Sequence, residues 1–160
     1  MEIVKLNVNG CVRETPVEHN WTLLRALREG LGLTGTKCGC ETGDCGSCKV
    51  IIDGEAVNSC QVKAVNAVGK EITTIEGLSK AGGPLHPIQQ AFIDCGAVRC
   101  GFCTPGMVMC TKALLDKTLN PTDEEIKEAL KGNLCRCTGY VKIEEAVRES
   151  ARRLREEAEA

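Results

Sequence analysis

Twelve of the chain's 160 residues are cysteine, and eight of the twelve fall into two groups of four. Cys40, Cys45 and Cys48 follow the spacing C-x4-C-x2-C, with Cys60 downstream. Cys100 and Cys103 form C-x2-C, and Cys135 and Cys137 form C-x-C. Four thiolates are a strong donor set, and a bound metal draws its ligands together. Any fold open to this chain must therefore gather four separated points of the backbone, and must do so twice.

The cellular compartment decides what cysteines do. MEIVKLNVNG alternates apolar and polar residues and lacks the apolar core of a signal peptide. The chain reads as cytoplasmic, where disulfides are rare and clustered cysteines serve metal or redox chemistry. C-x4-C-x2-C with a distant fourth cysteine is the plant-type spacing for a 2Fe–2S cluster. Gly39, Gly43 and Gly46 suit a loop wrapped around such a group, because glycine accepts positive φ and brings backbone N–H groups close to sulfur. Cys38 lies nearby but breaks the spacing, so Cys40 is the preferred ligand. Thiolates also build tetrahedral zinc sites. On spacing alone zinc competes weakly for the first set and more seriously for the second, since C-x2-C serves zinc ribbons as well as clusters.

Length allows one ordinary domain or two small ones. Only 2% of the residues are aromatic, so the core must be built from aliphatic side chains. Small domains with thin cores use staples, and metal clusters are one kind. The net charge of −2, with acids and bases mixed along the chain, gives no basic stripe for nucleic acid. No run approaches the roughly 20 apolar residues of a membrane span.

Ile3 to Val8 alternates as a strand, Asn9-Gly10 marks a hairpin turn, and Cys11 to Val17 returns. Thr22 caps a helical run, LLRALREGLGL, with Leu23, Leu24, Leu27 and Leu31 on one face. Gly35 to Cys48 is a loop. Lys49 to Ile52 and Glu55 to Cys60 read as strands around the Asp53-Gly54 turn, and Ile72 to Ile75 as another. GLSKAGGP, Gly77 to Pro84, is linker-like. Four helices follow: Pro87 to Asp94, Pro105 to Leu115, Thr122 to Leu130 behind a Thr122–Glu125 capping box, and Ile143 to Glu157. The expected fold class is α+β: a ferredoxin-like β-grasp domain over residues 1–77, a linker at 78–83, and an all-α four-helix domain over 84–160.

The longer motifs carry a resemblance. GTKCGCETGDCGSC runs from Gly35 to Cys48, CGFCTPGM from Cys100 to Met107, and NLCRCTGY from Asn133 to Tyr140. In order and spacing, over nearly the whole chain, these resemble the small iron–sulfur subunit of the xanthine dehydrogenase family of molybdenum hydroxylases. The resemblance implies two 2Fe–2S clusters, one held by Cys40, Cys45, Cys48 and Cys60, the other by Cys100, Cys103, Cys135 and Cys137. It implies that the helical-domain cluster lies nearer a molybdopterin cofactor, that Cys137 also contacts the pterin, and that the ferredoxin-like cluster lies toward a flavin. Many members carry glutamine directly before CGFCTPG, where this chain has Arg99. Arginine offers only donors and a fixed charge. It suits an anionic part of the cofactor or an acidic side chain, and the glutamine's role is not transferred to it.

The resemblance implies an electron-transfer subunit of an oxidoreductase with no substrate-converting site of its own. Electrons would pass singly from molybdenum on a large subunit, through both clusters, to FAD on a medium subunit. The expected assembly is a hetero-oligomer of the kind formed by two heterotrimers. Xanthine or another N-heterocycle is the favoured substrate. Aldehydes, carbon monoxide and aromatic acyl-CoA thioesters (the 4-hydroxybenzoyl-CoA reductase type) are the alternatives. No G-x-G-x-x-G fingerprint follows a strand, so no Rossmann-type flavin or nicotinamide site is visible. A stand-alone ferredoxin and a zinc-stapled interaction module are the competing classes of function. Cys11, Cys38, Cys95 and Cys110 are expected to pack as small apolar residues. His19 and His86 have local capping or surface roles, Met107 and Met109 pack, and RRLREEAEA is a solvated helix end.

Overall fold

Two hairpins, each closed by a turn the sequence marks, frame the first half of a computed structural model that describes residues 1–160. Strand β1 (Glu2–Val8) pairs antiparallel with β2 (Cys11–Val17), and β3 (Lys49–Ile52) with β4 (Glu55–Asn58). Both turns use two residues at positive φ: Asn9 and Gly10 at 54° and 77°, Asp53 and Gly54 at 49° and 87°. That backbone matches the twist of the flanking strands. Strand β5 (Glu71–Thr73) lies between the hairpins, parallel to β1 and antiparallel to β3, giving the order β2-β1-β5-β3-β4. Alternate residues Val4, Leu6 and Val8 turn to one face, where they meet Leu23, Ala26, Leu27, Val50 and Ile72 in an aliphatic core. This is the expected β-grasp.

Helix α1 (Leu23–Arg25) begins at Thr22, whose hydroxyl accepts the Arg25 N–H at 3.2 Å. The run does not continue as a regular helix. Ala26–Gly30 widens into a π turn closed by the Leu31 N–H on the Ala26 carbonyl at 2.9 Å. Gly30 is pressed against Thr15 of β2, where a Cβ would overlap the threonine hydroxyl. The widened turn lets the chain leave the sheet toward the cysteine loop.

The second half is helical: α2 (Pro87–Asp94), α3 (Thr104–Lys117), α4 (Asp123–Leu130) and α5 (Val141–Glu159). Their core joins Ile88, Phe92, Met107, Val108, Leu115, Ile126, Ile143 and Val147. His86 caps α2, its Nδ1 accepting the Ile88 N–H, and the Thr122–Glu125 capping box forms at α4. Met107 and Met109 are fully buried, as expected of packing residues. No helix is long and apolar enough to cross a membrane. Three further details differ from the sequence reading. Strand β4 stops at Asn58, because the Ser59 N–H and hydroxyl both bond to the Cys48 carbonyl and pull Ser59–Gln61 into a 3-10 turn. Strand β5 ends at Thr73. Cys11 and Cys38 are exposed rather than packed, whereas Cys110 is buried.

Helix α3 joins the halves. Met109 and Ala113 pack on Ile51 of β3, and Lys117 pairs with Glu55 at 2.7 Å. Gly106, in the first turn of α3, lies so close to Gly46 that a Cβ would overlap the Gly46 carbonyl oxygen. Helix propensity alone says that Gly106→Ala stabilises by roughly 0.5–1 kcal/mol. The contact reverses that sign: Gly106→Ala is expected to destabilise by about 1–3 kcal/mol, read as a lowered denaturation midpoint.

Candidate iron–sulfur centres

The first cysteine loop presents its thiols in pairs. Cys40 Sγ accepts the N–H groups of Thr42 and Cys45, both at 3.4 Å. Hydrogen bonding from Thr42, then from the Cys45 N–H, holds the Cys40 thiol down to about 6. Cys48 and Cys60 form the other pair, buried together against Leu24. Burial, with Cys60 alongside, pushes Cys48 up to about 11. Cys60 Sγ accepts the Gln61 amide N–H at 3.3 Å. Asn58 donates to the Gly43 carbonyl at 2.9 Å and ties the loop to the end of β4. Gly39 leaves room for sulfur, since a Cβ there would come 2.7 Å from Cys45 Sγ. Cys38 is exposed and lies outside the cavity lined by Cys40 and Cys45.

The second set is also paired. Cys100 and Cys137 are exposed with their sulfurs 3.8 Å apart. Two thiolates about 2.3 Å from one tetrahedral metal lie about 3.8 Å apart. Cys103, just before α3, and Cys135 form the inner pair, each shifting the other's protonation. Burial pushes Cys103 up to about 12. Burial also works to raise Cys135, but hydrogen bonds from the Thr138 hydroxyl and from the N–H groups of Cys137 and Thr138 outweigh it and lower the thiol. The Cys135 N–H donates to the Tyr140 hydroxyl at 3.0 Å.

Both sets open onto one cavity of about 460 Å³ whose wall includes Cys40, Cys45, Cys100, Cys103, Cys135 and Cys137. The Leu134 N–H donates to the Cys45 carbonyl at 2.9 Å, so a single backbone bond joins the two cysteine loops. No three of the histidine, cysteine and acidic side chains converge as a site for one metal ion. The thiols are arranged two by two, as a cluster of two irons requires. Donor chemistry, the glycine openings and the N–H groups aimed at sulfur all fit 2Fe–2S clusters.

Arg99 is exposed beside Cys100 and does not line the cavity. The nearby acid Asp94 is taken by Arg153 at 2.8 Å. Sequence reasoning concentrated on cysteines and passed over three polar neighbours: Gln61, Thr138 and Tyr140. Adjacency was the available signal. Gln61 follows Cys60 directly, and the chain's only tyrosine stands three residues after the C-x-C pair.

Comparison with known proteins agrees with this geometry. Residues 6–73 match the 2Fe-2S iron-sulfur cluster binding domain, and residues 74–148 match a second family described as a 2Fe-2S binding domain. The nicotinate dehydrogenase small FeS subunit of Eubacterium barkeri is 51% identical over 150 residues, covering 94% of this chain and 95% of that protein. The xanthine dehydrogenase iron-sulfur-binding subunit of Escherichia coli O157:H7 is 46% identical over 142 residues, covering 88% of each. A chain of the crystal structure of quinoline 2-oxidoreductase from Pseudomonas putida 86 superposes with a TM-score of 0.91 at 43% identity, covering 97% of this chain and 96% of that one. The chain belongs to the small iron–sulfur subunits of the xanthine dehydrogenase family of molybdenum hydroxylases. It is thus a subunit of an oxidoreductase and binds two 2Fe–2S clusters.

Thiols must lose their protons to bind iron. Cys48 and Cys103 hold theirs up to about 11 and about 12. Loading the metal-free chain with iron and sulfide is therefore expected to release protons. Its affinity should rise with each pH unit toward those values. Proton release and cluster absorbance, followed from about pH 7 to about pH 9, check this. Loading that did not change across that range would contradict it.

Proposed function

We propose that this chain is the electron-transfer subunit of a multi-subunit molybdenum hydroxylase. Its ligands are Cys40, Cys45, Cys48 and Cys60 for one cluster, and Cys100, Cys103, Cys135 and Cys137 for the other. The observation that carries the reading is the shared cavity, with the Leu134–Cys45 backbone bond beside it. A wire needs its stations adjacent, and this bond keeps the two loops adjacent. Each 2Fe–2S centre exchanges one electron at a time, which lets a two-electron oxidation at molybdopterin on a large subunit feed FAD on a medium subunit in single steps.

The chain's own residues hold the clusters, shield them and present them to partners. Cys48 and Cys60 are buried, so the ferredoxin-like site is sheltered on that side. Cys100 and Cys137 are exposed, next to Phe102 and Leu134, which are 47% and 56% exposed. Exposed apolar side chains around exposed ligands support this face as the contact with the molybdopterin-binding subunit. Cys137 is the residue assigned to the pterin. Arg99, with its fixed charge, is the second candidate, toward an anionic part of that cofactor. The division into domains at 1–77 and 84–160 is part of this proposal; two aliphatic cores support it, and Ile75 and Leu78 pack on the helical one.

The assembly we propose is cytoplasmic and heterotrimeric, two heterotrimers forming the whole. Its substrate is an N-heterocycle such as xanthine, a reading supported by relatives named for nicotinate, xanthine and quinoline. Aldehydes, carbon monoxide and aromatic acyl-CoA thioesters are the competing substrates, and assay of the purified complex against all four classes separates them. Cys100→Ser or Cys135→Ser is expected to remove one of two electron paramagnetic resonance (EPR) signals from the reduced protein and leave the other. Survival of both signals unchanged overturns the ligand assignment. Purification without larger chains overturns the subunit reading.

A further inference from the structure

Each cysteine set has a side-chain N–H or O–H that donates to a sulfur of the proposed ligand set. In the helical half the donor is Thr138. Its Oγ1 lies 3.1 Å from Cys135 Sγ and 3.2 Å from the Tyr140 backbone nitrogen. The Tyr140 nitrogen has only a proton to offer, so Oγ1 accepts there. The hydroxyl's own proton is left to point at sulfur. The Tyr140 phenol closes the arrangement by accepting the Cys135 N–H. Gly139 and Tyr140 both adopt positive φ, 67° and 73°. That backbone is costly for tyrosine, and it brings the Tyr140 nitrogen and phenol back onto Thr138 and Cys135.

In the ferredoxin-like half the donor is Gln61. Its Nε2 lies 3.3 Å from Cys60 Sγ and 3.1 Å from the Glu41 carbonyl oxygen. Both neighbours are acceptors, so the two amide protons are both used and the orientation of the amide is settled. Gly43 makes room for it, since a Cβ there would press on Gln61 Cγ at 3.2 Å.

We propose that Thr138 and Gln61 are positioning residues that set the reduction potentials of the two clusters, each by one hydrogen bond to a ligand sulfur. The proposal rests on the ligand assignment given above. A reduced cluster carries one more negative charge than an oxidised one, and a donor aimed at sulfur stabilises the reduced form more. Removing the donor therefore lowers the potential of that cluster. Backbone N–H donors are common to any chain that wraps a cluster this way. Thr138 and Gln61 are side chains, so a substitution can change one potential without rebuilding a loop. The two bonds act on different sulfurs in different domains, so the two potentials move independently.

The test is a redox titration of the holoprotein in its complex, with both cluster signals followed by EPR. Thr138→Val keeps the shape of threonine and removes the donor. It is expected to lower the midpoint of the helical-domain cluster and leave the other unchanged. Thr138→Ser restores the donor and is expected to hold the wild-type midpoint. Gln61→Met is expected to lower the ferredoxin-like midpoint alone. Cys100→Ser and Cys45→Ser identify which signal belongs to which cluster. Unchanged midpoints in Thr138→Val and Gln61→Met, with both signals present, overturn the proposal and leave the ligand assignment standing. A shift of both midpoints by either variant also overturns it. If Thr138→Val and Thr138→Ala both lose the cluster while Thr138→Ser keeps it, the hydroxyl holds the cluster rather than tunes it, and the proposal falls. Survival of both signals in Cys135→Ser defeats the ligand assignment instead.

Discussion

The backbone bond from the Leu134 N–H to the Cys45 carbonyl is the contact on which the two-centre arrangement depends. It forms only because the strands of chain on either side can approach closely. Gly46, at φ 74°, lies against the carbonyl of Gly132 and the side chain of Asn133, and Gly106 lies against the carbonyl of Gly46. A side chain at Gly46 or Gly106 would collide with backbone and force the loops apart. The segment that carries Cys135 and Cys137 would then move relative to the segment that carries Cys40 and Cys45. Electron transfer between separate centres falls steeply with distance, so close packing of glycines is a functional requirement as much as a packing one.

The second constraint is charge. Two 2Fe–2S clusters and the thiolates that hold them are a concentration of negative charge in a chain that is itself slightly acidic. Arg136 lines the cavity between Cys135 and Cys137, and no ion pair ties it to an acid. The chain also answers with dipoles: the N–H groups of Thr42 and Cys45 on Cys40, the Gln61 amide on Cys60, and the Thr138 hydroxyl on Cys135. Donors of this kind hold sulfur charge without adding competing ion pairs, and they remain in place when the cluster changes its charge by one. The aliphatic cores on either side are modest, and the metal centres staple the loops that those cores do not reach.

Much of the architecture was legible in the chain. Asn9-Gly10 and Asp53-Gly54 announce hairpins because positive φ is required at both positions and few other residue pairs supply it. The capping box at Thr122 and the proline-led starts of α2 and α3 are equally local. The misreadings arise where a distant partner intervenes. LLRALREGLGL has a helical pattern, yet Ala26–Gly30 widens into a π turn where Gly30, lacking a Cβ, packs on the strand residue Thr15. Glu55 to Cys60 alternates well enough for a strand, yet Ser59 finds the Cys48 carbonyl and turns Cys60 inward. Gln61, Thr138 and Tyr140 went unnoticed for the same reason, since a polar side chain near a cysteine acquires meaning only when the loop folds it back.

The amino-acid sequence by itself determined the two cysteine groups, the family, the order of the β-grasp and helical parts and the turns that close the sheet. These follow from residue type and spacing, which tertiary contacts do not change. Only the tertiary structure decided how the eight thiols pair, which loop lies against which, and which side chains reach a sulfur. Those are matters of a few tenths of an ångström between segments far apart in the chain. They are settled by where a Cβ is missing at Gly46 and Gly106, and by which carbonyl is left for the Leu134 N–H.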